Sequence, residues 1–200
     1  MKTLGVVMAG GRNVRYGGLK AFAKVKGEAI VDRVVRALDL VCDDVVVVAN
    51  DQAAYAALGL PIRSDEIPDA GALGGLLTAL RWSHERKCDG IVAVACDMPF
   101  VSAKLLRRLI ETAIATERDV SVPESGGRRG IEPLCAVYRN SCIPAIQQAI
   151  EREDYRMIAF HDAVQVGRLS LEIVEEYGDP ETLFMNVNTP EDLADAEARS

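Results

Sequence analysis

Leu4-Gly5-Val6-Val7-Met8-Ala9-Gly10-Gly11-Arg12-Asn13-Val14-Arg15-Tyr16-Gly17-Gly18-Leu19-Lys20 opens the chain with a strand and the loop it feeds. Residues 4–8 form a short apolar run, as expected of a strand buried on both faces. Gly10 and Gly11 follow it, and without a Cβ they let backbone N–H groups face a ligand. Arg15 and Lys20, four and nine residues after Gly11, bring fixed positive charge to the same loop. No Asp or Glu occurs before Glu28, although the whole chain carries a formal net charge of −7. Amides and cations in a field opposite in sign to the rest of the molecule suit a polyphosphate. The loop is not a Walker A loop: Lys20 is not preceded by Gly and is followed by Ala21, so the hydroxyl that would bind magnesium is missing. Nor is it G-x-G-x-x-G.

Outward from this stretch the pattern alternates. Ile30, Val31, Val34, Val35 and Leu38 recur at helical spacing and predict a helix over 28–40. A β-branched strand over 44–49, a short Ala-rich helix and a weak strand over 61–64 follow. A helix over 72–86 leads to a strand over 90–95. Ser102 caps the next helix, whose apolar face is Leu105, Leu106, Leu109 and Ile110. Strands are expected over 120–123 and, opened by Pro133, over 132–138, then a helix over 141–151. Alternation of Leu169, Leu171 and Ile173 predicts an edge strand, and a last helix starts at Pro190. Repeated βα units imply one domain over 1–200, a three-layer α/β/α sandwich around a Rossmann-like, mainly parallel sheet. Ligands of such sheets sit beyond the carboxyl ends of the strands.

Composition narrows the function classes. Of the 200 residues, 49% are hydrophobic and 26% charged, which suits a globular domain with a core of its own. No apolar run is long enough to span a membrane. The first residues lack the features of a secretory signal, so the expected location is the cytoplasm. Cys42, Cys88, Cys96, Cys135 and Cys142 form no C-x-x-C pair, and His84 and His161 stand far apart, so zinc spacing is missing and reduced thiols are expected. The acidic balance and the lack of a basic stripe with interleaved aromatics argue against nucleic acid.

Five further constellations carry chemistry. Asp97, at the end of a buried strand, needs a partner to offset desolvation, and Mg²⁺ is a suitable one. Asn186 and Asn188, two apart, would share one face of a strand and orient a phosphate or complete a metal shell. The competing reading is that they brace the helix start Thr189-Pro190-Glu191-Asp192. Gly71, Gly74 and Gly75 let the backbone approach a flat base, or pack a helix closely. Asp69 could accept hydrogen bonds from a base amine or sugar hydroxyl, with Asp65 as the competing candidate. Arg128 and Arg129 would clamp a second phosphate or remain solvated.

Together these residues resemble the nucleotidyltransferase superfamily, and within it the molybdenum cofactor guanylyltransferase family. That family opens L-A-G-G-x-S-x-R-M-G-x-x-K, to which Met8 through Lys20 are similar, with Met8 for Leu, Asn13 for Ser and Tyr16 for Met. The resemblance continues through Ala72-Leu73-Gly74-Gly75, Cys96-Asp97-Met98-Pro99, the run from Pro133 to Tyr138 and the run from Asn186 to Leu193. It implies the nucleotide-diphospho-sugar transferase type of fold. It also implies transfer of GMP from GTP to the phosphate of molybdopterin, with Mg²⁺ as cofactor and release of pyrophosphate. By carry-over, Met8, Ala9 and Gly10 would hold the nucleotide by backbone and Lys20 its phosphates. Asn50 and Asp69 would contact the nucleoside, and Asp97 would bind the metal. Lys20 and Arg15 would offset charge on the leaving group, with no protein nucleophile. Transfer from CTP, another phosphorylated acceptor and a non-catalytic GTP-binding protein stay open, as do partnerships with other cofactor-biosynthesis proteins or apo-molybdoenzymes.

Overall fold

Strand β1 (Thr3–Met8) is buried along its whole length, which is why its sequence is apolar rather than alternating. In this computed structural model residues 1–10, 20–127 and 130–199 are described, Lys20 by its backbone alone. A 3₁₀ turn, Lys20–Phe22, leads into the hairpin β2 (Lys24–Val25) and β3 (Glu28–Ala29). Lys26 and Gly27 both have positive φ, 49° and 84°, as a tight two-residue hairpin turn requires. Helix α1 (Ile30–Asp39) therefore begins two residues later than its periodicity suggests. Next come β4 (Asp44–Val48), the single turn α2 (Gln52–Tyr55), β5 (Ile62–Arg63), α3 (Gly71–Glu85) and β6 (Gly90–Ala95). Helix α4 (Ala103–Thr116) follows, and Ser102 caps it by accepting from the Leu105 N–H.

The second half holds β7 (Val120–Pro123), β8 (Cys135–Arg139), α5 (Ile143–Glu151), β9 (Val166–Leu169), α6 (Leu171–Glu175), α7 (Pro180–Leu183) and α8 (Pro190–Arg199). Two strand expectations are corrected. Strand β8 starts at Cys135 rather than residue 132, because the Cys135 N–H turns back to the Glu132 carbonyl at 3.2 Å. The strand ending at Leu169 does not run on through Leu171 and Ile173. The Ser170 carbonyl accepts from the Ile173 and Val174 N–H groups, which closes a helical turn there.

Seven strands form one sheet in the order β5-β4-β1-β6-β8-β7-β9. Of these, β8 alone runs against its neighbours. Alternate residues of β1 enter different cores. Val7 joins Val34 and Leu38 of α1 and Leu105 and Leu109 of α4. Val6 and Met8 join Leu73, Leu76 and Leu80 of α3 and Ile146 and Ile150 of α5. Helices thus cover both faces, and the three-layer α/β/α expectation holds. Among the described residues no helix is long and apolar enough to cross a membrane.

Gly90 is required where β6 meets β8. A Cβ there would lie 2.3 Å from the Tyr138 carbonyl oxygen and 2.9 Å from the Arg139 Cα, backbone that cannot turn aside. Gly90→Ala is expected to cost at least about 1–3 kcal/mol, read as a lower urea midpoint at unchanged slope.

Candidate active site

Backbone register brings the loops together. Met8, the last residue of β1, stands opposite Val48 of β4 on one side and Ala95 of β6 on the other, and Val48 pairs with Arg63 of β5. The pairing continues past the strand ends. The Ala9 N–H donates to the Val48 carbonyl at 2.9 Å, the Ala49 N–H to Arg63 at 2.9 Å, and the Cys96 N–H to Met8 at 3.1 Å. The chain at Gly10, Asn50, Asp65 and Asp97 therefore leaves the sheet along one edge. The carboxyl-end segment joins them, since the Val187 N–H donates to the Asp97 carbonyl at 2.9 Å.

Met8 and Ala9 are buried and Gly10 is exposed. Asp97 is half-buried and holds a hydrogen-bonding or electrostatic interaction within the protein. The thiol of Cys96 beside it is pushed up to about 12, first by burial and then by the Asp97 charge, so it is no thiolate nucleophile at neutral pH. Gly11, Arg15, Arg128 and Arg129 and the side chain of Lys20 lie outside the described residues.

Asn50 and Asp65 are brought together. The Asn50 amide donates to Asp65 Oδ2 at 3.0 Å, and the Asp65 N–H donates back to Asn50 Oδ1 at 2.9 Å. The buried Asp65 Oδ1 has no hydrogen-bond partner among the described residues. Burial raises the Asp65 carboxyl above its usual range, while the Asn50 amide lowers it in part. A Cβ on Gly75 would stand 3.1 Å from Asp65 Oδ1 and 3.1 Å from Met8 Cε, so glycine keeps this corner open. Asp69 instead sits in the exposed loop before α3, at φ 63°. Asp65 had a weaker signal in the sequence, a carboxylate two residues past the short strand β5, and only register reveals its company with Asn50.

Gly74 is buried within α3, where a Cβ would meet the Ala70 Cβ at 2.8 Å and the Ile67 carbonyl at 3.2 Å. Close packing accounts for it. Ala70, before the helix, gives no side-chain hydrogen bond to the first-turn amides of α3. Such amides are suited to an anionic group.

Asn186 and Asn188 do not lie on a strand, which corrects the shared-face expectation. The segment is held instead by the Val187–Asp97 hydrogen bond and by burial of Val187 against Val25, Ile30 and Ala196. Asn186 is half-buried and its amide donates to the Phe184 carbonyl at 3.1 Å. Asn188 is exposed, and its N–H donates to Asp192 Oδ2 at 2.8 Å. Thr189 and Asp192 exchange hydrogen bonds at 2.8 and 3.1 Å, a capping box that starts α8.

Residues 5–166 match the model of the MobA-like NTP transferase domain. The chain is 36% identical over 196 residues to a probable molybdenum cofactor guanylyltransferase of Pelotomaculum thermopropionicum, covering 98% of this chain and 92% of that one. It is 33% identical over 196 residues to the molybdenum cofactor guanylyltransferase of Desulfosudis oleivorans, covering 97% and 94%. A solved structure of molybdopterin-guanine dinucleotide biosynthesis protein A from Archaeoglobus fulgidus is similar in fold, with a TM-score of 0.80 at 24% identity over 98% of both chains. With the match running from β1 to the start of β9 and these relatives aligned almost end to end, the chain belongs to the MobA-like NTP transferase family.

Proposed function

We propose that this protein transfers the GMP moiety of GTP to the terminal phosphate of molybdopterin. An acceptor phosphate oxygen forms a bond to the α-phosphorus. The bond from that phosphorus to the oxygen bridging to the β-phosphate breaks, and pyrophosphate leaves with the electron pair. The observation that supports this reading is the Met8–Ala95 register, by which the chain leaves β1 at Gly10 and β6 at Asp97 along the edge where four parallel strands end. Likeness to the named guanylyltransferases supports the choice of GTP and molybdopterin.

The protein's share is positioning and electrostatics, as in phosphoryl transfer generally. Backbone N–H groups at Gly10 and Gly11 cradle phosphate oxygens, and Lys20 and Arg15 offset charge on the departing pyrophosphate. Asp65, oriented by Asn50, accepts hydrogen bonds from the ring N–H and exocyclic amine on the guanine edge. Cytosine has no such adjacent pair of donors. Asp65 thus takes the base-reading role, and Asp69 remains a candidate for the ribose hydroxyls.

The donor set at Asp97 fits magnesium. Among the described residues no group of three or more His, Cys, Asp or Glu is set to hold a metal ion. Mg²⁺ typically asks the protein for one or two carboxylates and completes its octahedron with phosphate oxygens and water. When bound, the cation supplies positive charge to the triphosphate oxygens; Asp97 would hold it, with Asn186 and Asn188 nearby in the chain docked on Asp97.

A panel of the four ribonucleoside triphosphates, followed by pyrophosphate release with and without molybdopterin, tests the reading. Release with GTP that depends on molybdopterin is expected. Release with CTP in its place would make the protein a cytidylyltransferase, and GTP binding with no release under any condition would make it a non-catalytic binder.

A further inference from the structure

A third apolar cluster stands apart from the two cores that flank the sheet. Val25, Ile30, Val187 and Ala196 are buried together in it, and Ala23 and Phe100 pack against them. These residues come from distant parts of the chain: the hairpin after Lys20, the start of α1, the connection after Asp97, the segment before α8, and α8 itself. Ala23 is three residues from Lys20, Phe100 is three from Asp97, and Val187 lies between Asn186 and Asn188. Polar bonds tie the same parts to one another. Glu197 Oε1 of α8 accepts from the Lys26 N–H of the hairpin turn at 2.9 Å. The Arg33 guanidinium of α1 donates to the Val25 carbonyl at 2.8 Å. The Val187 N–H donates to the Asp97 carbonyl at 2.9 Å. A cluster this small can open while the larger cores of the sheet stay folded.

We propose that Val187 and Ala196 are positioning residues for the transfer reaction. By filling this cluster they hold the Lys20 segment and the Asp97 segment in one arrangement, so that the two sides of the triphosphate site order together. The inference rests on the proposed GMP transfer, in which Lys20 meets the phosphates and Asp97 the cation. Both side chains are buried and act through the backbone they anchor. Loss of two methyl groups at Val187 leaves a void that few neighbours can refill. A carboxylate in place of the Ala196 methyl group loses its hydration unless α8 lifts away. Either change releases the hairpin and the Asp97 segment at once.

The test uses the full chain with Val187→Ala and Ala196→Glu, and with Val122→Ala as an equal loss from a core of the sheet. Amide hydrogen exchange of the ligand-free protein should quicken about tenfold in the first two variants, over residues 20–30 and 184–189 together. The Kd of a fluorescent GTP analogue in Mg²⁺ should rise about tenfold in Ala196→Glu, because the binding-competent arrangement becomes a minority. Val122→Ala weakens the sheet without loosening the cluster, so it should leave both readings at wild type. Exchange that quickens over 184–189 while residues 20–30 keep wild-type protection would overturn the proposal. So would a wild-type Kd in Ala196→Glu, or the same changes in Val122→Ala. Both readings are taken without molybdopterin. A wild-type protein that binds the analogue but transfers nothing to molybdopterin therefore overturns the transfer reading alone, and one that binds no GTP analogue overturns both.

Discussion

Asp97→Ala is expected to lower kcat by about 10²–10³-fold while the cooperative unfolding transition is retained. The fold is expected to survive because the backbone bond that Asp97 makes does not depend on its side chain. Its carbonyl oxygen accepts the Val187 N–H and docks the segment that leads to α8, and that bond survives in alanine. Its carboxylate, half-buried at the end of β6, is the group that would hold the divalent cation. Removing it takes away the charge that, in the proposed mechanism, faces the reacting phosphates, and leaves no apolar contact of the two cores unmade. The variant should bind GTP more weakly in the presence of Mg²⁺, with a normal far-UV spectrum and pyrophosphate release near background. Wild-type turnover in Asp97→Ala would remove the metal assignment.

Asp65→Asn should lower kcat/KM for GTP by about 10²-fold, close to 2.7 kcal/mol of discrimination, and change the slow use of other nucleotides little. In the proposed base site the carboxylate would offer two acceptors to the guanine edge, whereas asparagine would turn one of them into a donor that opposes the base. The pH dependence gives the same variant a second reading. Burial, offset in part by the Asn50 amide, holds the Asp65 carboxyl above its usual range in the folded protein. In the proposed role GTP affinity would need the ionised form, so it should fall as pH drops through that raised value. Stability of the ligand-free fold has the opposite sign. The folded state binds the proton more tightly than the unfolded chain, so this carboxyl costs stability as pH rises from the ordinary carboxylate range through its raised value. Asp65→Asn should abolish both trends, and an unchanged acid limb for GTP binding would take Asp65 out of the base site.

The buried parallel strands were the most legible part of the sequence. The runs 4–8, 45–48 and 91–95 within β1, β4 and β6 lack polar alternation because helices cover both faces, and their alternation with helical patterns implies a mainly parallel sheet. Less visible were features decided by backbone geometry. The turn at Lys26-Gly27 took two residues from the helical periodicity of α1, and the Ser170 carbonyl converted an alternating apolar segment into α6. The antiparallel insertion of β8 between β6 and β7 leaves no mark in composition. In the candidate site, Asp97 stands out in the sequence because a carboxylate just past a buried strand needs a partner. Asp65 and Asp69 are four residues apart in one acidic loop, and hydrophobic pattern does not tell them apart. Pairing of Val48 with Arg63 does, by carrying Asp65 to Asn50. Asn186 and Asn188 were picked out by their spacing, but the geometry behind that choice was a strand, and the segment is held instead by a backbone hydrogen bond to Asp97 and by burial of Val187.

A crystal structure with GTP and Mn²⁺, read by anomalous scattering, locates the metal and the nucleotide in one measurement. A manganese peak at the Asp97 carboxylate is expected, with the triphosphate beside Gly10 and the guanine edge on Asp65. A nucleotide seated away from Gly10, or a manganese peak with no bond to Asp97, would contradict the proposed function.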